Sequence, residues 1–153
     1  MRTLRPVVVS TVLFLACLLP RFSFAAPSDA CKVLTTDQVT AAMGAKMKAG
    51  EPPLLGKGCN WTQAANAFAP SLSLAITTSE RFNMVKKANS PGQTITPLQG
   101  FGDDSFLVSS DVTTAIYVRK GNDAFNLSIP RSMDKNHATT VLKTLAGKAL
   151  TSF

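Results

Sequence analysis

The chain has 153 residues, of which 45% are hydrophobic and 16% are charged, and its formal net charge at pH 7 is +7. Its basic residues are scattered, and only Lys86-Lys87 and Arg119-Lys120 are adjacent pairs. Nucleic-acid-binding proteins usually carry a basic stripe or a recognisable module. This sequence shows neither, so we expect no nucleic-acid partner.

The first 25 residues have the pattern of a cleavable secretory signal. Two arginines precede a mostly apolar run over residues 7–19, and Ser23 and Ala25 fit the −3 and −1 positions of a cleavage site. The run is shorter than the roughly 20 residues of a membrane-spanning helix. We therefore predict cleavage after Ala25 and a periplasmic or secreted protein, with an uncleaved membrane anchor as the alternative.

The mature chain would then be residues 26–153, which we predict to be a single domain. Residues 1–25 hold three of the 16 basic residues and none of the nine acidic ones, so the mature net charge is +4. We find no internal repeat, low-complexity tract or linker in the mature sequence. A chain of this length can bury one core and fold alone.

A second processing signal overlaps the first. The stretch Leu13-Phe-Leu-Ala-Cys17 resembles the lipobox at which bacterial lipoproteins are cut and acylated, although Phe14 stands where a smaller aliphatic residue is usual. Lipidation of Cys17 would tether the protein to a membrane. Without it, we expect no membrane contact of this kind.

Cleavage would leave two cysteines, Cys31 and Cys59, which we predict to form a disulfide. Two cysteines in an exported chain most often pair, and closing this loop should stabilise the fold by about 3.5 kcal/mol. A metal or redox pair is the alternative. The sequence has no C-x-x-C motif and only one histidine, the distant His137, so we expect no metal.

The first half of the mature chain shows a helix followed by short strands. Thr35 and Gln38 have the spacing of a capping box, and Gly44 is a natural helix end. A short strand over residues 45–50, a loop rich in Pro and Gly, and a strand over Cys59–Gln63 should follow. Residues 71–77 alternate strictly between polar and apolar side chains, which predicts a half-buried strand.

The second half predicts two more helices and further strands. Ser79 can cap a helix that ends near Ala88, and a strand over residues 94–98 and a turn over residues 100–104 follow. Strands are expected over residues 105–109, 113–119 and 124–129, with the tight turn Lys120-Gly-Asn-Asp123 joining the last two. Residues 134–150 have helical spacing of apolar residues.

This order predicts an α+β fold. Consecutive strands joined by tight turns favour an antiparallel sheet of about five to six strands. We expect the helices to pack mainly on one face of that sheet, with one disulfide.

The candidate catalytic residues do not form a recognisable set. A catalytic histidine needs a nucleophile and an orienting acid, whereas His137 lies at a predicted helix start. Asp103 and Asp104 are adjacent, so their side chains should point in different directions and fit a turn better than an acid/base pair. We predict no enzyme and no cofactor, with a hydrolase using Asp103, Asp104 or His137 as the enzymatic alternative.

Four residues remain as candidate contacts for a ligand or partner, namely Trp61, Asp103, Asp104 and Tyr117. Trp61 and Tyr117 could serve as flat platforms. For Trp61, packing in the core beside the disulfide is the favoured interpretation.

Several short motifs, taken together, resemble a known group of proteins. They are Cys31-Lys-Val-Leu-Thr-Thr-Asp-Gln-Val39, Gly44, Cys59-Asn-Trp61, and Gly100-Phe-Gly-Asp103 with Phe106. This layout is similar to that of small bacterial exported proteins of unknown function, including actinobacterial surface lipoproteins and the extracellular sensor domain of PknH-like kinases. The likeness covers most of residues 31–150. It implies a non-catalytic envelope or sensor module with a groove between sheet and helix, and it carries over no catalytic residue.

The function we expect is therefore a non-catalytic binding or sensor-like module of the periplasm or the exterior. Its partner would be a small molecule, an envelope component or an exported protein. The alternative is an inhibitor or accessory subunit that docks on another exported protein.

Overall fold

The computed structural model describes residue 27 and residues 29–66, 68–88, 90–130 and 133–153. The predicted signal, with Cys17 and the cleavage site after Ala25, lies outside these residues. No helix in the described ranges is long and apolar enough to cross a membrane.

The centre of the structure is an antiparallel sheet of six strands in the spatial order β1-β2-β6-β5-β4-β3. The strands are β1 (Gly58–Trp61), β2 (Leu72–Thr78), β3 (Thr94–Leu98), β4 (Asp104–Ser109), β5 (Thr113–Lys120) and β6 (Asp123–Pro130). The helices are α1 (Thr36–Met43), α2 (Ser79–Lys87) and α3 (Lys135–Ala149), with short 3-10 turns at Ala30–Lys32 and Leu150–Ser152. The predicted α+β fold and the Cys31–Cys59 disulfide are confirmed.

Helix α1 forms where its capping signals predict it. The Thr35 Oγ1 accepts a hydrogen bond from the Gln38 N–H at 3.2 Å, and the Gln38 Oε1 accepts one from the Thr35 N–H at 2.9 Å. These two bonds satisfy backbone donors that a helix start leaves unpaired. Gly44 ends the helix with a φ of 67°, a left-handed conformation that favours glycine.

Two local predictions need correction. The strand expected over residues 45–50 is reduced to isolated bridges from Met47 to Gln63 and from Glu51 to Asn60. These bridges still cover part of the outer edge of β1. The cap of α2 is Thr78 rather than Ser79, and the Ser79 hydroxyl instead donates to the Gly121 carbonyl at 3.1 Å.

The two faces of the sheet are covered to different extents. On the first, called here the covered face, α1 and α3 bury apolar side chains of the strands, among them Leu72, Leu74, Ile116, Val118, Phe125, Leu127 and Ile129. The second, called here the open face, carries α2 and the alternate side chains, among them Ser73, Ala75, Tyr117, Arg119, Asn126 and Ser128.

Helix α2 thus lies on the opposite face from the other two helices. The reason is visible in β4, where three consecutive residues are apolar. Leu107 joins the core under α3, whereas Phe106 and Val108 project from the open face. Phe82 of α2 is fully buried against them, so this short helix closes a second, smaller apolar cluster.

Candidate functional site

A groove of about 440 Å³ lies on the open face between α2 and the loop over residues 52–57. Strands β1, β2, β5 and β6 form its floor, with Asn60, Ser73, Ala75, Thr77, Tyr117 and Asn126 among the lining side chains. Arg81 and Val85 of α2 form one wall, and Pro53, Leu55 and Lys57 form the other. A volume in this range is typical of small-molecule sites.

The depth of the groove follows from one row of residues across the sheet. Gly58, Ala75, Asn126 and Tyr117 are direct neighbours on β1, β2, β6 and β5. Small side chains at the β1 and β2 end leave a hollow that the larger ones close at the β5 end. Gly58 cannot be enlarged, because a Cβ there would lie 2.6 Å from the Leu74 carbonyl oxygen.

The floor of the groove carries several polar side chains. Asn60, Ser73, Tyr117 and Asn126 are all half-buried. Among the described residues, no protein group hydrogen-bonds to these four side chains. Half-buried polar groups in a hollow are normally satisfied by protein, water or a ligand. These side chains can therefore hydrogen-bond to water or to a molecule in the groove.

The charge of the lining is entirely positive. Lys57 and Arg81 are its charged side chains, and no carboxylate lines it. Neither cation has an acidic partner within ion-pair distance in the part of the chain that the structure describes. In contrast, Lys86 on the same helix is paired with Asp104 at 2.7 Å.

Tyr117 closes the β5 end of the groove and is held by aromatic packing. Its ring stacks on Phe106 with centroids 5.0 Å apart, and Phe106 in turn meets Phe82 at 4.9 Å. Burial raises the pKa of Tyr117 above its ordinary value of 10.0, and the positive charge of Arg81 partly opposes that increase. The phenol is consequently a protonated hydrogen-bond donor at neutral pH.

Of the four candidate contacts taken from the sequence, only Tyr117 lines the groove. Trp61 is fully buried on the covered face, where a Cβ added at Gly50 would lie 2.5 Å from the Cys59 Sγ and 2.7 Å from the Trp61 Nε1. Trp61 therefore packs beside the disulfide and cannot reach a ligand in the groove.

The two adjacent aspartates serve different local contacts. The Asp103 Oδ2 accepts a hydrogen bond from the Gly121 N–H at 2.6 Å, which ties the turn before β4 to the β5–β6 hairpin. Asp104 forms the ion pair with Lys86. Neither carboxylate lines the groove.

His137 lies in the exposed first turn of α3. Its backbone N–H donates to the Asp134 Oδ1 at 3.0 Å, so Asp134 serves as the helix cap. In the described ranges no group of three or more His, Cys, Asp or Glu side chains is placed to hold a metal ion.

Most residues of the groove are not indicated by the sequence patterns, in particular Asn60, Ser73, Arg81 and Asn126. The alternation of β2 does place Ser73 opposite its buried leucines, but any solvent-facing strand shows the same pattern. What distinguishes these residues is the wall built by α2, and that wall depends on which face the helix covers.

A second hollow, of about 460 Å³, lies at the other edge of the sheet. Hydroxyl groups of Thr94, Ser109 and Thr114 line it together with the start of α3. Asp134, which also lines it, is already engaged as the cap of that helix. This hollow is more polar than the groove and offers less apolar surface for an organic ligand.

Comparison of the chain with protein-family models, curated proteins and solved structures yields no match. The functional proposal therefore rests on the chemistry of the groove itself.

Proposed function

We propose that the protein is a non-catalytic, sensor-like binding module that takes a small molecule or envelope component into the groove of the open face. The observation that carries this proposal is the floor of the groove. There, four half-buried polar side chains have no partner among the described protein groups and lie beside two unpaired cations. A concave site with apolar walls and a few convergent polar groups is the usual form of a ligand site.

The proposed location is the periplasm or the exterior, reached through a signal cleaved after Ala25. The Cys31–Cys59 disulfide supports this location, because disulfides persist in oxidising compartments and are rare in the cytosol. The resemblance to actinobacterial surface lipoproteins and to PknH-like sensor domains belongs to the same proposal.

The lining chemistry supports binding without turnover. The groove presents amide, hydroxyl, phenol, ammonium and guanidinium groups, but neither a carboxylate nor an imidazole lines it. Ser73 consequently has no imidazole–carboxylate pair beside it of the kind that activates the serine of a catalytic triad.

A second candidate function is an accessory subunit or inhibitor that docks on another exported protein. The observation that favours it is a pair of adjacent leucines at the groove rim, Leu54 and Leu55, which are 103% and 89% exposed. Exposed apolar anchors of this kind are found where proteins meet.

One experiment separates the two functions. The full chain is expressed in a bacterium that exports it, recovered gently from the periplasm, and examined by native mass spectrometry. A small molecule retained at one per chain supports the binding module. A protein bound at fixed stoichiometry, without a small molecule, supports the alternative.

A variant that fills the groove tests whether the retained molecule binds there. Ala75→Phe places a ring on the floor, and we expect it to lose the retained molecule while the chain still folds. Thr96→Phe, at an exposed position of the edge strand β3, is the matched control and should keep it. A ligand that survives Ala75→Phe lies elsewhere, and the groove would then not be its site.

A further inference from the structure

We infer that the ligand of the groove is an organic anion, held by its charged group at Arg81 and by an apolar body against the opposite wall. This inference rests on the proposed function and adds the chemical class of the ligand.

The first support is the charge balance of the site. The lining holds Lys57 and Arg81 and no acidic residue. An ion pair would occupy these cations, as Asp104 occupies Lys86, but the described residues supply none to either of them. A carboxylate-bearing ligand would supply the missing partner, whereas a cation would enter against two like charges.

The second support is the set of hydrogen-bond donors at the α2 end of the groove. Arg81 and Tyr117 both line this end of the groove, so the guanidinium and the phenol share one neighbourhood. Asn126 is the direct neighbour of Tyr117 on β6 and contributes an amide N–H. A guanidinium, a phenol and an amide together match the acceptor-only character of a carboxylate.

The third support is the apolar surface at the other end. Pro53 and Leu55 of the loop line the wall at this end. Leu55 is 89% exposed, so a bound apolar body would remove it from water. Because Phe106 covers one face of the Tyr117 ring from β4, the side towards β6 faces the groove. The loop therefore favours an apolar body, and the uncovered face of the Tyr117 ring across the groove favours a flat one.

Three small probes that differ in their polar group test the inference, namely benzoate, benzamide and benzylamine. Each is titrated into isotope-labelled mature protein, and binding is followed by the NMR shifts of backbone amides. We expect benzoate to bind at least about tenfold more tightly than benzamide, because charge-assisted hydrogen bonds are roughly twice as strong as neutral ones. We expect no binding of benzylamine. The largest shifts should fall on Ser73, Ala75 and Asn126.

Paired variants of α2 separate a local contact from a general charge effect. Arg81→Gln and Lys87→Gln each remove one exposed positive charge from the same helix, but only Arg81 lines the groove. Arg81→Gln should weaken benzoate about tenfold and leave benzamide nearly unchanged. Lys87→Gln should leave both unchanged. Added salt should weaken benzoate more than benzamide, since it screens an exposed cation.

The outcomes separate this inference from the proposed function. Benzamide binding as tightly as benzoate, or benzoate binding unaffected by Arg81→Gln, overturns the anion inference and leaves a binding groove in place. Shifts from no probe, or shifts confined to the hollow near Thr94 and Ser109, also overturn it. In that case the retention experiment with Ala75→Phe still decides whether the groove binds any ligand.

Discussion

The covered and open faces of this sheet are formed by the same strands but differ in what their side chains do. On β6, Phe125, Leu127 and Ile129 are buried under α3, while Asn126 and Ser128 between them stay half-exposed. On β2, Leu72 and Leu74 are buried while Ser73 and Ala75 line the groove. Adjacent residues of one strand therefore belong in turn to the main core and to the candidate site.

Most of the stabilising contacts of this small domain lie on the covered face. Two helices and the disulfide all act on the covered face, and the nine-residue helix α2 closes only a small cluster on the other. The polar residues of the open face are half-buried or exposed and should contribute less to folding than the covered face. These polar residues can consequently be altered to test binding without unfolding the protein.

The largest contrast is expected between two adjacent residues of β6. Leu127→Ala removes a fully buried side chain from the covered face and should lower the free energy of unfolding by roughly 3–5 kcal/mol. Asn126→Ala, one residue earlier on the open face, should change it by less than about 0.5 kcal/mol. Urea denaturation of both variants measures the difference. Equal losses would mean that the two faces do not differ in this way.

The disulfide should stabilise the fold without affecting the groove. Replacing both Cys31 and Cys59 by alanine opens a loop with a sequence separation of 28 residues and should cost about 3.5 kcal/mol. Denaturation of the double variant tests the stability, and titration with benzoate tests the groove. We expect the affinity for benzoate to be unchanged at a temperature where the variant is folded; a weaker affinity would show that the two faces are coupled.

Replacing two glycines by alanine should change the stability of the protein in opposite directions. Gly50→Ala would place a methyl group against the Cys59 sulfur and the Trp61 indole, both of them buried, and should cost about 1–3 kcal/mol. Gly147 lies in α3 with no atom near the added methyl, so Gly147→Ala should stabilise the protein by about 1 kcal/mol. Thermal unfolding compares them. A neutral Gly50→Ala would contradict the close packing of the loop on Trp61.

The smallest effect concerns the only tyrosine of the chain. The pKa of Tyr117 is raised on folding, so its contribution to stability is full below about pH 10 and is lost as the pH rises through the folded-state pKa. Tyr117→Phe should therefore make the unfolding free energy less dependent on pH above that point. Absorbance of the ionised phenol gives the pKa directly, and a folded-state value at or below 10.0 would contradict the burial.

Local signals allowed most of the fold to be predicted. The capping box at Thr35, the left-handed Gly44 and the Lys120–Asp123 turn act over a few residues, and each is found where the pattern indicated. The disulfide follows from the cysteine count of a chain that is predicted to be exported. The face chosen by α2 could not be read in this way, because Phe82 and Val85 would suit either face.

The same limit applies to the candidate site. The sequence indicates Tyr117 as a possible flat platform for a ligand, but Asn126 and Ser73 look like ordinary strand residues until α2 is placed above them. Asp103, Asp104 and Trp61 are candidates by residue type alone, and the structure places them in a turn contact, an ion pair and the core. A groove made by tertiary packing leaves no short motif in the sequence.

The most direct measurement is a crystal structure of the protein recovered from the periplasm of an exporting host with its retained molecule in place. We expect electron density for that molecule between α2 and the 52–57 loop, with its acidic group within hydrogen-bond distance of Arg81, Asn126 or Tyr117. Density in the hollow beside Thr94 and Ser109, or a bound protein seated on Leu54 and Leu55 above an empty groove, would contradict this expectation.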